Sequence, residues 1–180
     1  MRVISTKLAN EIITKLRISK NLQKRLRLSA FGDISETEWK HYEIIGLPTK
    51  DGAAGVLFIE IEDDLYAIPY EIGAVGDKLT GRSKPVICDL CKTWQAGGRA
   101  GSITFRTERR SLNSISFLCC LDLKCSLHVR DMTTAAKTSR AQLREDITQQ
   151  YRIERLKDKL SMLVKRLGLE PAIDKDEDIE

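Results

Sequence analysis

Apolar residues recur at helical spacing at both ends of the chain and at strand spacing in its middle. Ile4, Leu8, Ile12 and Leu16 fall four apart, and Leu22 and Leu26 resume the stripe after Ile18-Ser19-Lys20-Asn21. That pattern predicts a helix or helical pair over the first 30 or so residues, with basic side chains on its other face and Gly32 at its end. Ser35-x-x-Glu38 has the form of a capping box, so a short helix is expected from Ser35 to Gly46, before Pro48, with Trp39, Tyr42 and Ile45 on one apolar face. Val56–Ile61 and Leu65–Tyr70 read as strands joined by a turn at Glu62-Asp63-Asp64. Pro69 cannot donate to a sheet ladder and is expected at a strand end or sheet edge, while Gly73, Gly76 and Gly81 mark a loop. Residues 102–106 and 113–118 alternate polar and apolar side chains about a turn at Glu108–Ser111, as a hairpin does. Roughly 139–167 reads as one long helix, with Tyr151, Ile153, Leu156, Leu160, Leu163, Val164 and Leu167 as its stripe and Gly168 as its stop.

The expected fold class is therefore α+β: an N-terminal helical segment, a small mixed or antiparallel sheet and a long C-terminal helix. The chain divides into a basic helical segment over 1–33, a main domain over 34–168 and an acidic, disordered tail over 169–180. Its 180 residues suffice for one real core. No apolar run reaches the ~18–20 residues that cross a bilayer, and the opening Met1-Arg2-Val3-Ile4-Ser5 lacks the apolar stretch of a secretory signal. A cytoplasmic, reducing setting is expected, in which cysteines bind metal more readily than they form disulfides. The net charge of +4 conceals segregation, for 1–33 and 82–110 are basic whereas 36–77 and 170–180 are acidic. Such polarity favours an acidic partner at one end.

Cysteines add the most specific signal. Cys88 and Cys91 form a C-x2-C pair, and Cys120 and Cys125 a C-x4-C pair after a 28-residue insert. Four thiolates complete a tetrahedral Zn2+ shell and leave no position for water, so one structural Zn2+ is expected and not a catalytic one. Cys119 competes with Cys120 for the third place, although a strand there lets only one of the two face the metal. His128, three residues after Cys125, is an alternative ligand. A redox dithiol at Cys88–Cys91 fits poorly, because Thr93-Trp94-Gln95-Ala96-Gly97-Gly98 does not open a helix. A knuckle, a hairpin and a second ligand pair leading into a helix is the order of a treble-clef zinc finger, placed at about 84–132. No enzyme and no small-molecule substrate are expected. His41 and His128 belong to no recognisable triad, and Gly97-Gly98-Arg99-Ala100-Gly101 lacks the Lys-Ser/Thr of a phosphate-binding loop.

Three stretches together, Val86–Gln95, Ile103–Arg106 and Phe117–Arg130, resemble the FusB-type proteins that bind elongation factor G, most nearly the compact actinobacterial versions. Weaker similarity runs upstream from Trp39 to Tyr70 and downstream from Met132-Thr133 into the final helix. The resemblance implies a C-terminal treble-clef domain with Zn2+ on Cys88, Cys91, Cys120 and Cys125. It also implies docking on elongation factor G, promotion of its release from the ribosome and, in resistance members, rescue from fusidic acid. Staphylococcal-type members carry a longer N-terminal helical bundle than the 33 residues that precede the matching segment here. Arg99, Arg106, Arg109, Arg110, Arg130 and Trp94 are the candidate partner contacts, since Arg and Trp dominate binding hot spots. The competing class is direct binding of ribosomal RNA by a basic zinc module, and no membrane partner is expected.

Overall fold

The computed structural model describes residues 1–16, 18–74, 84–106, 114–143 and 146–173. At its centre is a five-stranded antiparallel sheet in the order β1-β2-β3-β6-β7, with β1 Ile44–Pro48, β2 Ala54–Ile61, β3 Asp64–Ala74, β6 Ala100–Arg106 and β7 Ser114–Cys120. A separate two-stranded ribbon pairs β4 Val86–Ile87 with β5 Trp94–Gln95. The helices are α1 Thr6–Lys15, α2 Lys20–Arg25, α3 Glu36–Trp39, α4 Cys125–Val129, α5 Thr134–Leu143 and α6 Gln149–Leu167.

The sheet is sandwiched, and strand alternation decides which side chains go where. Ile44, Leu57, Ile59, Ile68, Tyr70, Ile103 and Phe105 face α6 and the cysteines. Ile45, Leu47, Val56, Phe58, Leu65 and Ala67 face α1, Phe31 and Trp39 on the opposite side. β2 is covered on both faces, which explains why Val56–Ile59 is an unbroken apolar run and not an alternating one. Residues 1–33 thus share an apolar cluster with the sheet, and Arg27 N–H donates to the Pro48 carbonyl at 3.0 Å.

Side-chain caps punctuate the helices. Ser5, Ser19 and Thr148 each accept from the backbone N–H three residues on, at 3.1, 3.2 and 3.2 Å. Ser19 divides the N-terminal stripe into α1 and α2. Thr148 likewise starts α6 anew, so the single helix expected over 139–167 is instead α5 and α6. Tyr151, assigned to the apolar stripe, is 54% exposed, whereas Arg152 beside it is buried and donates to the carbonyls of Val129 (3.2 Å) and Ile147 (3.0 Å). Gly168 ends α6 in the left-handed conformation with φ 61°.

Two further expectations change. The helix over 35–46 stops at Trp39, and Ile44–Pro48 becomes β1. The capping interaction is present, the Ser35 N–H and hydroxyl meeting the Glu38 carboxylate at 3.0 and 2.7 Å. But pairing of Ile44 with Ile59 and Leu47 with Val56 captures the second half as strand. Pro69 lies within β3, in register with Val56, and not at its end. It precedes the first β3–β6 pair, Tyr70 with Phe105, so the donor it lacks faces a side where, among the described residues, no strand pairs with it.

The hairpin turn between β2 and β3 is tighter than expected, with Glu62 and Asp63 at φ 51° and 71°. Gly73 belongs to β3, while Gly76, Gly81 and the turn at 108–111 lie outside the described residues. Residues 169–173, assigned to the tail, lie along the body: Ile173 is buried and its carbonyl accepts from Leu65 N–H at 3.1 Å. The remainder, 174–180, is outside the described residues.

Candidate metal centre

Two tight turns deliver the cysteines. The β4–β5 ribbon closes around Cys88-Asp89-Leu90-Cys91, with Val86 opposite Gln95 and Ile87 opposite Trp94. Cys88 N–H donates to the Thr93 carbonyl at 3.0 Å and Lys92 N–H to the Cys88 carbonyl at 2.9 Å, with Lys92 at φ 59°. The second pair comes from the last residue of β7, Cys120, and the first residue of α4, Cys125. Leu123, at φ 50°, turns the chain between them and donates to the Cys120 carbonyl at 3.1 Å.

The four sulfurs lie within 4.8 Å of one another, and all four residues are buried. Cys88 and Cys125 are 3.8 Å apart and Cys91 and Cys120 3.6 Å apart. A tetrahedron with Zn–S bonds of ~2.3 Å has sulfur–sulfur edges of about 3.8 Å, so the spacing matches the ion. The thiols alone are not a stable set of anions. Hydrogen bonds from neighbouring thiols, Cys119 foremost, hold Cys88 well below the usual thiol range. Cys125 is pushed well above it by the sulfurs of Cys120, Cys88 and Cys91. A dication at the centre removes that conflict. The cluster fits one structural zinc.

Cys119 is buried but lies outside the four-sulfur group. The Cys88 sulfur and burial push its thiol up, which keeps it protonated. His128 sits at the edge of the cluster, its Nδ1 3.4 Å from the Cys120 sulfur and its Nε2 3.4 Å from an Asp122 carboxylate oxygen. Burial works against charge on that ring, but the Asp122 carboxylate and the Cys91 sulfur raise its pKa to about 9. Gln95 Nε2 donates to the Cys120 sulfur at 3.2 Å, and the Thr93 hydroxyl is 3.2 Å from the Cys91 sulfur. A donor such as the Gln95 amide offsets the negative charge of a thiolate and orients it.

Over residues 16–167 the chain matches the family described as the FBP C-terminal treble-clef zinc-finger, the FusB-type domain. The chain belongs to this family. Neither a curated protein nor a solved structure matches it. The family is one of binding proteins, and it suggests a translation factor as partner. No helix among the described residues is long and apolar enough to cross a membrane.

The candidate partner contacts are scattered. Trp94 is half-buried on β5, and its backbone N–H donates to Ser139 of α5 at 2.8 Å. Arg99 is exposed beside a cleft formed by Leu121, Asp122, Lys124 and the start of α5. Arg106 ends β6, its side chain undescribed, and Arg109 and Arg110 lie outside the described residues. Arg130 points inward: its Nη1 donates to Glu43 Oε2 and to the Ser126 carbonyl, both at 2.9 Å, and its Nη2 also meets the Glu43 carboxylate. That pairing removes it from the set of free surface cations.

Sequence reasoning missed Gln95, Glu43 and Ser126. The Ser126 hydroxyl accepts from the N–H groups of Glu43 (2.9 Å) and Ile44 (3.2 Å), fastening α4 to the start of β1. Nothing local marks these residues, because each partner is distant in sequence.

Proposed function

We propose that this chain is a non-enzymatic protein that docks on elongation factor G through its zinc lobe and modulates the factor's release from the ribosome. In resistance members of the family this action relieves fusidic acid, and the same outcome is proposed here for cells carrying the protein. The single observation that carries the reading is the FusB-type family match across 16–167, joined to a cysteine set with no open metal position. Cys88, Cys91, Cys120 and Cys125 are the proposed ligands, with the cytoplasm as the working compartment. Trp94, Arg99, Arg106, Arg109 and Arg110 are the proposed contacts. Arg130 is left out because Glu43 already engages it.

The test is capture of purified elongation factor G by zinc-loaded wild type and by Cys120→Ser/Cys125→Ser, at low and moderate salt, with and without nuclease. Capture by the wild type alone that survives nuclease and moderate salt supports the reading. Capture lost with nuclease, falling steeply with salt as phosphate contacts do, replaces it with direct RNA binding.

A further inference from the structure

A second candidate surface lies beside the turn that carries the first cysteine pair. β7, the 88–92 knuckle and the C-terminal half of α6 enclose a groove of about 640 Å³. Leu90, Phe117, Met162 and Leu163 make it apolar, and Met162 is 60% exposed. Lys92, Lys159, Lys165 and Arg166 border it. The one carboxylate there among the described residues, Asp89, is already engaged: its Oδ2 accepts from Leu118 N–H at 2.8 Å and its Oδ1 is 3.9 Å from Lys92. Among the described residues no carboxylate pairs with Lys159, Lys165 or Arg166.

The backbone adds a second feature. Leu118 N–H and C=O both point away from β6, to Asp89. Strand alternation places the corresponding groups of Ser114 and Ser116 on that same outer edge of β7. Among the described residues no strand pairs there. An apolar floor, an unbalanced cationic rim and an open edge are what an acidic chain segment with a large apolar side chain requires.

We propose that this groove binds an acidic protein segment, its apolar side chain seated against Leu90, Phe117 and Met162 and its carboxylates met by Lys159, Lys165 and Arg166. The inference does not depend on which protein supplies the segment, and so stands apart from the elongation factor G reading.

The chain's three methionines give a direct readout. Met162 lies in the groove, while Met132 (51% exposed) and Met1 lie outside it and serve as internal controls. Zinc-loaded full chain labelled with [methyl-13C]methionine is titrated with a peptide of one phenylalanine flanked on each side by three glutamates. Its glutamine counterpart is run in parallel. The Met162 signal is expected to move saturably while those of Met1 and Met132 stay. The glutamine peptide, and the acidic peptide on Lys165→Glu/Arg166→Glu, are expected to bind at least about tenfold more weakly. These two residues are exposed, so the variant is expected to keep its zinc and fold, with a melting temperature lowered only by the loss of favourable charge in the last turn of α6. Three results overturn the proposal: no movement of Met162 up to about 1 mM peptide, equal movement of all three signals, or equal binding of the two peptides.

Discussion

Glu43 and Arg130 form a two-pronged ion pair across 87 residues of sequence, joining the start of β1 to the end of the helix that Cys125 opens. Both side chains are nearly removed from water, at 8% and 12% exposure. Taking away one partner strands a charge in a poor solvent, so Glu43→Ala or Arg130→Ala is expected to cost about 3–5 kcal/mol. Replacing both by apolar residues of similar size, Glu43→Leu with Arg130→Met, is expected to recover most of that. Urea unfolding of the zinc-loaded proteins measures all three. A double variant as unstable as the sum of the singles would mean that the pair is not the reason for the loss.

Zinc removal tests the cysteine assignment. Because the sulfurs share one apolar cluster with Leu123, Val129 and the inner face of α6, losing the ion is expected to loosen that whole side of the sheet. The ion's binding contributes roughly 10–16 kcal/mol in comparable structural sites. Cys120→Ser is therefore expected to purify without metal and with reduced helical circular dichroism. Cys119→Ser, outside the sulfur group, is expected to keep one zinc per chain. Metal content by elemental analysis checks both, and loss of zinc from Cys119→Ser would reassign the third ligand.

Local signals were legible where local chemistry decides. The C-x2-C and C-x4-C pairs, the strands at 56–61 and 65–70 and the stop at Gly168 each follow from residues that touch their own neighbours. β1 was not legible. Trp39, Tyr42 and Ile45 have helical spacing, and only pairing with β2 and the hydroxyl of Ser126 makes Ile44–Pro48 extended. The α5–α6 break was hidden for a similar reason, since the apolar stripe gives no sign of the cap at Thr148. Arg130 read as a surface cation because its carboxylate lies in another part of the chain.

Gln95 illustrates the same limit at the metal centre, where one amide decides how a sulfur is held. Its Nε2 donates to the Cys120 sulfur, and no other residue of β5 reaches the cluster in this way. Gln95→Leu keeps the volume and removes the donor. The expected outcome is a 10–100-fold weaker affinity for zinc, as is usual when such supporting hydrogen bonds are lost, with the fold retained. Competition with a chromophoric chelator reads the affinity. An unchanged value would show that the amide only fills space.

Gly46 controls how the second cysteine pair sits on the sheet. A Cβ added there would lie 2.2 Å from Leu123 Cδ1, so the side chain of Leu123 occupies the place a larger residue would need. Leu123 is also the left-handed residue between Cys120 and Cys125, and displacing its side chain strains the turn that sets the sulfurs. Gly46→Ala is expected to destabilise the zinc-loaded protein by about 1–3 kcal/mol and to speed zinc release to a chelator. Leu123→Ala alone leaves a hole and is itself destabilising. Combined with Gly46→Ala it relieves the clash, so the double variant is expected to lose less than the two singles added together. Strict additivity, with wild-type zinc release from Gly46→Ala, would mean that the contact does not couple β1 to the metal turn.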